Sequence, residues 1–170
     1  MTTVYIDKRC GLAMTDSRVT STIERAFLGI FPLQSKNQYS KVLQKSMYIH
    51  DRLFLSCGTV SEINKVLRYL VEQKPIVPSR KDGCHCLLLD KEYCINFVIH
   101  NGVLKKFVQF IDKNYVFSMG SGSSHMKNAF NVIGSSKLNN ISLSEYVIDE
   151  FSKVSEKDIY TDNNINLYKI

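Results

Sequence analysis

The chain has 170 residues, of which 44% are hydrophobic and 22% charged, a balance that excludes a disordered or fibrous chain and allows one buried core. No run approaches the roughly 18 apolar residues of a membrane span, and the opening MTTVYIDKRC lacks the basic-then-apolar order of a secretory signal. The net charge of +6 comes from scattered basic residues, so no nucleic-acid partner is expected. We expect a single cytoplasmic domain over residues 1–170 that does not bind a membrane.

The cysteines do not form a disulfide framework, because their number is odd and their spacing irregular. They are Cys10, Cys57, Cys84, Cys86 and Cys94. This usage fits a reducing compartment. The Cys84-His85-Cys86 cluster admits a metal site, but its spacing is not the CxxC typical of zinc ligands and it lies in strand-like sequence. The sequence therefore implies no metal and no cofactor.

The first forty residues contain one clear hairpin and one segment without a clear period. The β-branched and aromatic run 3–6 and the apolar run 12–14 flank a polar turn that ends at Gly11. This pattern predicts a hairpin that leads into Asp16. Residues 20–40 mix apolar side chains with Ser, Gln and Asn. We expect a loop there, with a buried apolar tip.

A second hairpin and a helix are predicted between residues 45 and 75. Apolar residues on both sides of the turn His50-Asp51-Arg52 predict a hairpin over 45–57 that ends at Gly58. A helix over 60–73 follows and stops before Pro75. Its apolar face is formed by Ile63, Val66, Leu67, Leu70 and Val71.

Residues 84–117 alternate apolar runs with turns, which predicts a strand-rich region. The runs cover 86–89, 94–99, 103–111 and 115–117. The dipeptide Asn101-Gly102, between the second and third runs, is a strong signal for a two-residue hairpin turn.

Two helices are predicted after the Gly-Ser-rich segment that ends at residue 123. The first covers 123–134 and ends at Gly134, a natural C-cap. The second covers 142–156 and begins at a capping box made by Ser142 and Glu145.

The chain closes with one more predicted strand, 165–168, so the order is strands, one helix, strands, two helices and a strand. Helices that interrupt a strand-rich chain at only two points can cover the outer faces of two stacked antiparallel sheets. We therefore predict an α+β domain built as a four-layer αββα sandwich, with Thr2 at the start of an inner strand.

Four segments spread along the chain contain recognisable motifs. They are TTVYID…GLAMTDSRVT at the start; Lys45 four residues before Ile49, with Cys57-Gly58-Thr59 opening the first helix; Met119-Gly120-Ser121-Gly122-Ser123 before the second helix; and Lys157-Asp158-Ile159-Tyr160-Thr161 with Asn166-Leu167-Tyr168 near the end. Together, in this order, they resemble the N-terminal-nucleophile hydrolases, specifically proteasome β subunits and the bacterial peptidase HslV. The resemblance implies the same αββα sandwich and a threonine-type peptidase or amidohydrolase.

The resemblance implies that Thr2 is the nucleophile once Met1 has been removed. A threonine hydroxyl needs a base to take its proton, and the α-amine of a first residue can be that base. A free α-amine has a pKa of roughly 7.7 to 8.0, close to the operating range of an enzyme. Met followed by a small Thr is a pattern expected to be trimmed.

The resemblance also implies roles for other residues of the motifs. Lys45 would place a cation beside the Thr2 hydroxyl and amine, and Asp16 would hold that lysine by an ion pair. Gly58, at the start of a helix, would offer its N–H to the oxyanion. The hydrogen-bonded groups around the α-amine would be Ser121, Asp158 and Thr161; Thr161 departs from the expected Ser but keeps the hydroxyl.

Several alternatives remain open at the level of sequence. The segment between Arg18 and Lys45 is longer than in the family, so Lys41 competes with Lys45, which the spacing to Ile49 favours. A retained Met1 would block the amine of Thr2 and leave the protein inactive. The family also contains subunits without catalysis, so a structural or assembly protein, such as one encoded by a virus, is the second hypothesis.

The partners that the resemblance implies are a peptide or protein substrate and further copies of the chain, in a closed homo-oligomer that hides the sites. The sequence identifies neither the substrate nor an ATPase partner.

Overall fold

The structure, a computed structural model, describes residues 2–16, 19–27, 31–40, 45–131, 142–162 and 164–170. Their strands are β1 (Thr3–Asp7), β2 (Leu12–Asp16), β3 (Val19–Phe27), β4 (Phe31–Ser40), β5 (Ser46–Ile49), β6 (Arg52–Gly58), β7 (Cys84–Leu89), β8 (Tyr93–His100), β9 (Val103–Phe110), β10 (Val116–Gly120) and β11 (Ile165–Lys169). The helices are α1 (Val60–Glu72), α2 (Lys127–Asn131) and α3 (Leu143–Lys157), and a 3-10 turn (Ser121–Met126) leads into α2. No helix in these ranges is long and apolar enough to cross a membrane.

Two antiparallel sheets form the body of the fold. One has the strand order β10-β1-β2-β11 and the other the order β5-β6-β7-β8-β9. The predicted hairpins at 3–16 and 45–58 and the strand-rich region after residue 84 are therefore confirmed. In the second hairpin the turn residues His50 and Asp51 both have positive φ, as a two-residue turn between twisted strands requires.

Three hydrophobic clusters separate four layers. The first lies between the two sheets and contains Val4 and Ile6 of β1 and Leu55 of β6. The second lies between the larger sheet and α1, and the third joins Tyr5 of β1 to α2 and α3. All of β1 is buried because apolar partners cover both of its faces, with Phe151 of α3 on one side. The αββα sandwich is confirmed.

The helices begin and end close to their predicted limits. α1 ends with Gln73 in a left-handed conformation, its N–H bonded to the carbonyl of Tyr69. The capping box of Ser142 and Glu145 is present at the start of α3. The helix predicted over 123–134 begins instead as the 3-10 turn and continues as α2 to Asn131; the predicted cap Gly134 lies outside the described residues.

The loop predicted over residues 20–40 is wrong. The backbone forms β3 and β4, which pair with each other as a separate two-stranded sheet. β-branched residues in β3, such as Thr22 and Ile23, favour extended backbone. The polar composition of β4 does not predict a strand, so the pairing of β3 with β4 could not be predicted. The predicted apolar tip includes residues 28–30, which lie outside the described residues.

Candidate active site

The open end of the β1–β2 hairpin brings Asp16 next to the start of the chain. The strands pair Val4 with Thr15, so Asp16 lies across from Thr3. The N–H of Thr3 donates to Asp16 Oδ1 over 2.8 Å, and the side chain of Asp16 is completely buried. The carboxylate therefore lies one residue away from Thr2.

Lys45 forms a buried ion pair with Asp16. Its Nζ lies 3.2 Å from Asp16 Oδ2, and the lysine is only 5% exposed. The backbone at Lys45 is held by β6, because Ser56 donates to the Lys45 carbonyl from both its N–H and its hydroxyl, over 2.9 and 3.0 Å. Burial lowers the pKa of Lys45, and the charge of Asp16 opposes that shift only in part.

A second cluster of hydrogen bonds is centred on Asp158. Its Oδ2 accepts from the hydroxyls of Ser121 and Thr161, over 2.6 and 2.7 Å. Burial alone would raise the pKa of Asp158, but these hydrogen bonds, together with one from the N–H of Tyr160, help to hold the pKa below its usual value. The hydroxyl of Thr161 also lies 2.6 Å from that of Thr3, which joins the cluster to β1.

The turn after β10 fixes the backbone of Thr2. The N–H of Ser121 donates to the carbonyl of Thr2 over 3.2 Å. Gly120 makes this approach possible, because it has a φ of 96° and a Cβ in its place would overlap the Thr2 carbonyl oxygen. The backbone of the Gly-Ser segment therefore packs directly against that of Thr2.

Thr2 and Thr3 differ in what their hydroxyls contact. Thr3 Oγ1 accepts from the N–H of Gly122 over 3.1 Å and contacts Thr161, so it is fully engaged. The side chain of Thr2 is 2% exposed, and its hydroxyl makes no hydrogen bond with the part of the chain that the structure describes. Of the two threonines, Thr2 has the hydroxyl that is not committed to the fold.

Gly58 ends β6, two residues beyond Ser56, and comes directly before Thr59, the N-cap of α1. Its φ is 112°, a conformation that favours glycine. The next N–H, of Thr59, donates to the carbonyl of Gly83 over 2.8 Å. Gly58 belongs to the same strand as Ser56, which bonds to the Lys45 carbonyl, so β6 connects Gly58 to Lys45. Met1 and the competing Lys41 lie outside the described residues.

No protein-family model and no curated protein matches the chain. Many solved structures resemble the chain, and two of them do so over nearly their full length. Eukaryotic HslV from Trypanosoma brucei has a TM-score of 0.57 and 11% identity, covering 98% of this chain and 97% of that one. The BPH protein of Thiobacillus denitrificans, in complex with epoxomicin, has the same score and identity, covering 99% and 97%. The chain has the fold of an N-terminal-nucleophile hydrolase.

Within this N-terminal-nucleophile hydrolase fold, three residues near the site have contacts that the sequence motifs do not predict. Thr3 links β1 to Thr161, and Ser56 holds the backbone of Lys45. Burial lowers the pKa of Lys45, and the negative charge of Asp162 opposes that shift, as the charge of Asp16 does. Two features of the sequence point to the first and third of these residues: Thr3 stands beside Thr2, and Asp162 directly follows Thr161. No feature of the sequence points to Ser56, which lies in an apolar strand.

Proposed function

We propose that the chain is a cytoplasmic threonine-type peptidase or amidohydrolase, in which Thr2 becomes the first residue on removal of Met1 and acts as the nucleophile. The observation that carries this proposal is the buried ion pair of Asp16 and Lys45, one peptide unit from Thr2. Burying two charges costs free energy that well-packed apolar residues would not cost, so such a pair next to Thr2 is better explained by chemistry than by stability.

The state of Lys45 suits that chemistry. Burial lowers its pKa, while Asp16 and Asp162 favour the charged form. An ammonium held in a water-poor site stabilises the negative charge that develops on a neighbouring threonine oxygen. Lys45 therefore supplies positive charge and Asp16 orients it.

The proton follows a route that the threonine residue itself provides. The α-amine of Thr2 accepts the proton of its own hydroxyl as Oγ1 bonds to the acyl carbon of the substrate. The backbone N–H of Gly58 binds the oxyanion. The protonated α-amine of Thr2 then gives its proton to the leaving amine as the C–N bond of the substrate breaks. Water, deprotonated by the same amine, attacks the ester that remains. The bond between the acyl carbon and Oγ1 breaks, Oγ1 takes the proton back from the amine, and the acid is released.

The Asp158 cluster would keep this amine in place. The hydroxyls of Ser121 and Thr161 both donate to Asp158, so their oxygens are directed and can accept from an ammonium. The negative charge of Asp158 favours the protonated amine at the stage when it carries the proton. We further propose a peptide or protein substrate and a closed homo-oligomer, since HslV-like proteins form oligomers.

Covalent labelling tests the proposal. Epoxomicin, the molecule in complex with the Thiobacillus denitrificans protein, should add once to the Met1-free chain, with the added mass on a peptide that starts at Thr2. Thr2→Ala should remove the adduct, and Thr2→Ser, the matched control, should retain it. An adduct that persists in Thr2→Ala would refute the assignment of the nucleophile. No adduct on a Met1-free, folded chain would favour the non-catalytic structural or assembly protein.

A further inference from the structure

Strand β9 (Val103–Phe110) is an open edge of the larger sheet. Its one described neighbour is β8, and nearly all its residues are exposed. The opposite edge, β5, is short and is tied to the other sheet by a 2.7 Å hydrogen bond between Ser46 and Tyr168. An exposed strand edge is a template for pairing with another chain, and soluble proteins normally protect it.

Large apolar side chains stand on both faces of β9. On the face toward α1 lie Val108 and Phe110, the latter 85% exposed; on the other face lie Val103 and Phe107, the latter 47% exposed. A solvent-facing edge strand would normally be polar on at least one face. Exposed apolar side chains on both faces favour a partner that covers this edge.

Of the two lysines of the strand, Lys106 does not block its edge. Lys106 bends back over α1, where its Nζ donates to the Tyr69 hydroxyl over 2.8 Å and lies 4.9 Å from the centre of the Tyr69 ring. Its charge is therefore directed away from an approaching strand. Lys105 projects from the other face and is exposed.

The pairing of β8 with β9 defines which backbone groups are free. The turn at Asn101-Gly102 closes a two-residue hairpin in which His100 faces Val103. Such a closing pair exchanges both hydrogen bonds, and the pattern alternates along the strand. The N–H and C=O groups that point away from β8 therefore belong to the alternate residues Leu104, Lys106, Val108 and Phe110.

We infer that a second copy of this chain binds here, with β9 pairing antiparallel to its own symmetry mate around Phe107. In a two-fold pair one residue faces itself, and only residues of like orientation can face each other. Centring on Lys105 or Lys106 would place like charges opposite one another, which is unfavourable. Centring on Val108 would pair only residues 106–110.

The register around Phe107 satisfies all of these conditions. It pairs the two strands from residue 104 to residue 110. Phe107 meets its own copy, Leu104 meets Phe110, and the apolar stem of Lys106 meets Val108. Lys105 faces Gln109 and not another lysine. The result is one continuous sheet across two copies, which removes both open edges.

The test uses the whole chain in sedimentation velocity over a range of micromolar concentrations. Wild-type protein should associate reversibly. Phe107→Glu and Phe107→Lys should each weaken association at least about 100-fold, because both phenyl groups leave the interface and like charges oppose each other. An equal mixture of the two variants should associate again, since the opposite charges then face each other. Val77→Glu, at an exposed apolar residue of the loop after α1, should have no effect.

Cross-linking tests the register itself. Phe107→Cys should form a disulfide-linked dimer on mild oxidation, because facing Cβ atoms of a non-hydrogen-bonded pair are close enough. Lys105→Cys should not, and neither should the wild-type chain. Wild-type protein that stays monomeric, association unaffected by Phe107→Glu, or faster cross-linking of Lys105→Cys would each overturn the inference. Pairing of a foreign acidic strand with a monomeric wild-type chain would also overturn it.

Discussion

The two ends of the β1–β2 hairpin each hold a buried aspartate paired with a cation, yet the two pairs differ in kind. At the turn, Asp7 binds the guanidinium of Arg9 through both oxygens, over 2.9 and 2.6 Å. At the open end, Asp16 binds the ammonium of Lys45 over 3.2 Å. Both carboxylates are completely buried.

The cations explain the difference. The guanidinium of Arg9 also donates to the carbonyl of Ala129 in α2, and its hydrogen bond to Asp7 raises its pKa against the effect of burial. An arginine so engaged stays charged and holds elements together. The pKa of Lys45 is lowered by burial, and a lysine is the cation whose charge a protein can adjust for chemistry. The turn pair is a structural clamp, and the open-end pair suits a reaction.

The largest expected effect comes from removing the cation at the open end. Lys45→Met should lower hydrolysis by the Met1-free chain by about 10³-fold, because the charge beside the Thr2 hydroxyl is lost. It should also cost ~3–5 kcal/mol of stability, because the buried carboxylate of Asp16 loses the ammonium of Lys45. The steady-state rate per folded molecule and the urea midpoint measure the two effects. Lys45→Met combined with Asp16→Asn should recover much of the stability and none of the rate.

The matching change at the turn should affect stability alone. Arg9→Met leaves Asp7 unpaired and removes donors to α2, so we expect a loss of about 3 kcal/mol in urea unfolding. The rate constant of the protein that remains folded should be unchanged within about twofold. A loss of rate as large as that of Lys45→Met would contradict the division between a structural and a reactive pair.

The pH dependence should separate the same two pairs. The folded-state pKa of Lys45 is lowered below its ordinary value of 10.5. Between the folded-state pKa and 10.5 the unfolded chain binds more protons than the folded one. The free energy of unfolding therefore increases as pH rises through this window. Hydrolysis should fall in the same window, because the ammonium is lost. Urea unfolding of wild type and Lys45→Met, side by side, isolates the contribution of Lys45. The free energy of unfolding of the wild type minus that of the variant should increase as pH rises, and a decrease would contradict this prediction.

The smallest effect is expected at Thr3, next to the reactive pair. Thr3→Val removes the acceptor of the Gly122 N–H and the contact with Thr161, which should cost about 1–3 kcal/mol. Thr3→Ser should restore the stability. Thermal unfolding of both variants measures this, and Thr3→Val should still label with epoxomicin at Thr2. Loss of labelling in folded Thr3→Val would transfer the reactive role to Thr3.

The sequence predicts most of the fold because local signals agree with the tertiary structure. Alternating apolar runs, the Asn101-Gly102 turn and the capping box at Ser142 determine their elements from within a few residues. The hairpin of β3 and β4 is not predicted, because neither strand has a regular alternation of apolar and polar residues and each is formed by pairing with the other. The extent of the single domain over residues 1–170 stays a prediction.

The candidate site could be predicted only in part. The spacing to Ile49 favours Lys45, which forms the ion pair with Asp16, while the competing Lys41 lies outside the described residues. The contributions of Ser56 and Thr3 depend on contacts between elements far apart in sequence, which no local pattern records. The catalytic roles of these residues stay predictions.

The most direct test of the central claim compares the chain with and without Met1. Both forms should be purified, checked by intact mass and assayed on the same short acyl-amide substrates. The account predicts hydrolysis by the Met1-free form alone, because only a free α-amine on Thr2 can accept the hydroxyl proton. Equal rates in the two forms would contradict the account, since the amine could then not be the base.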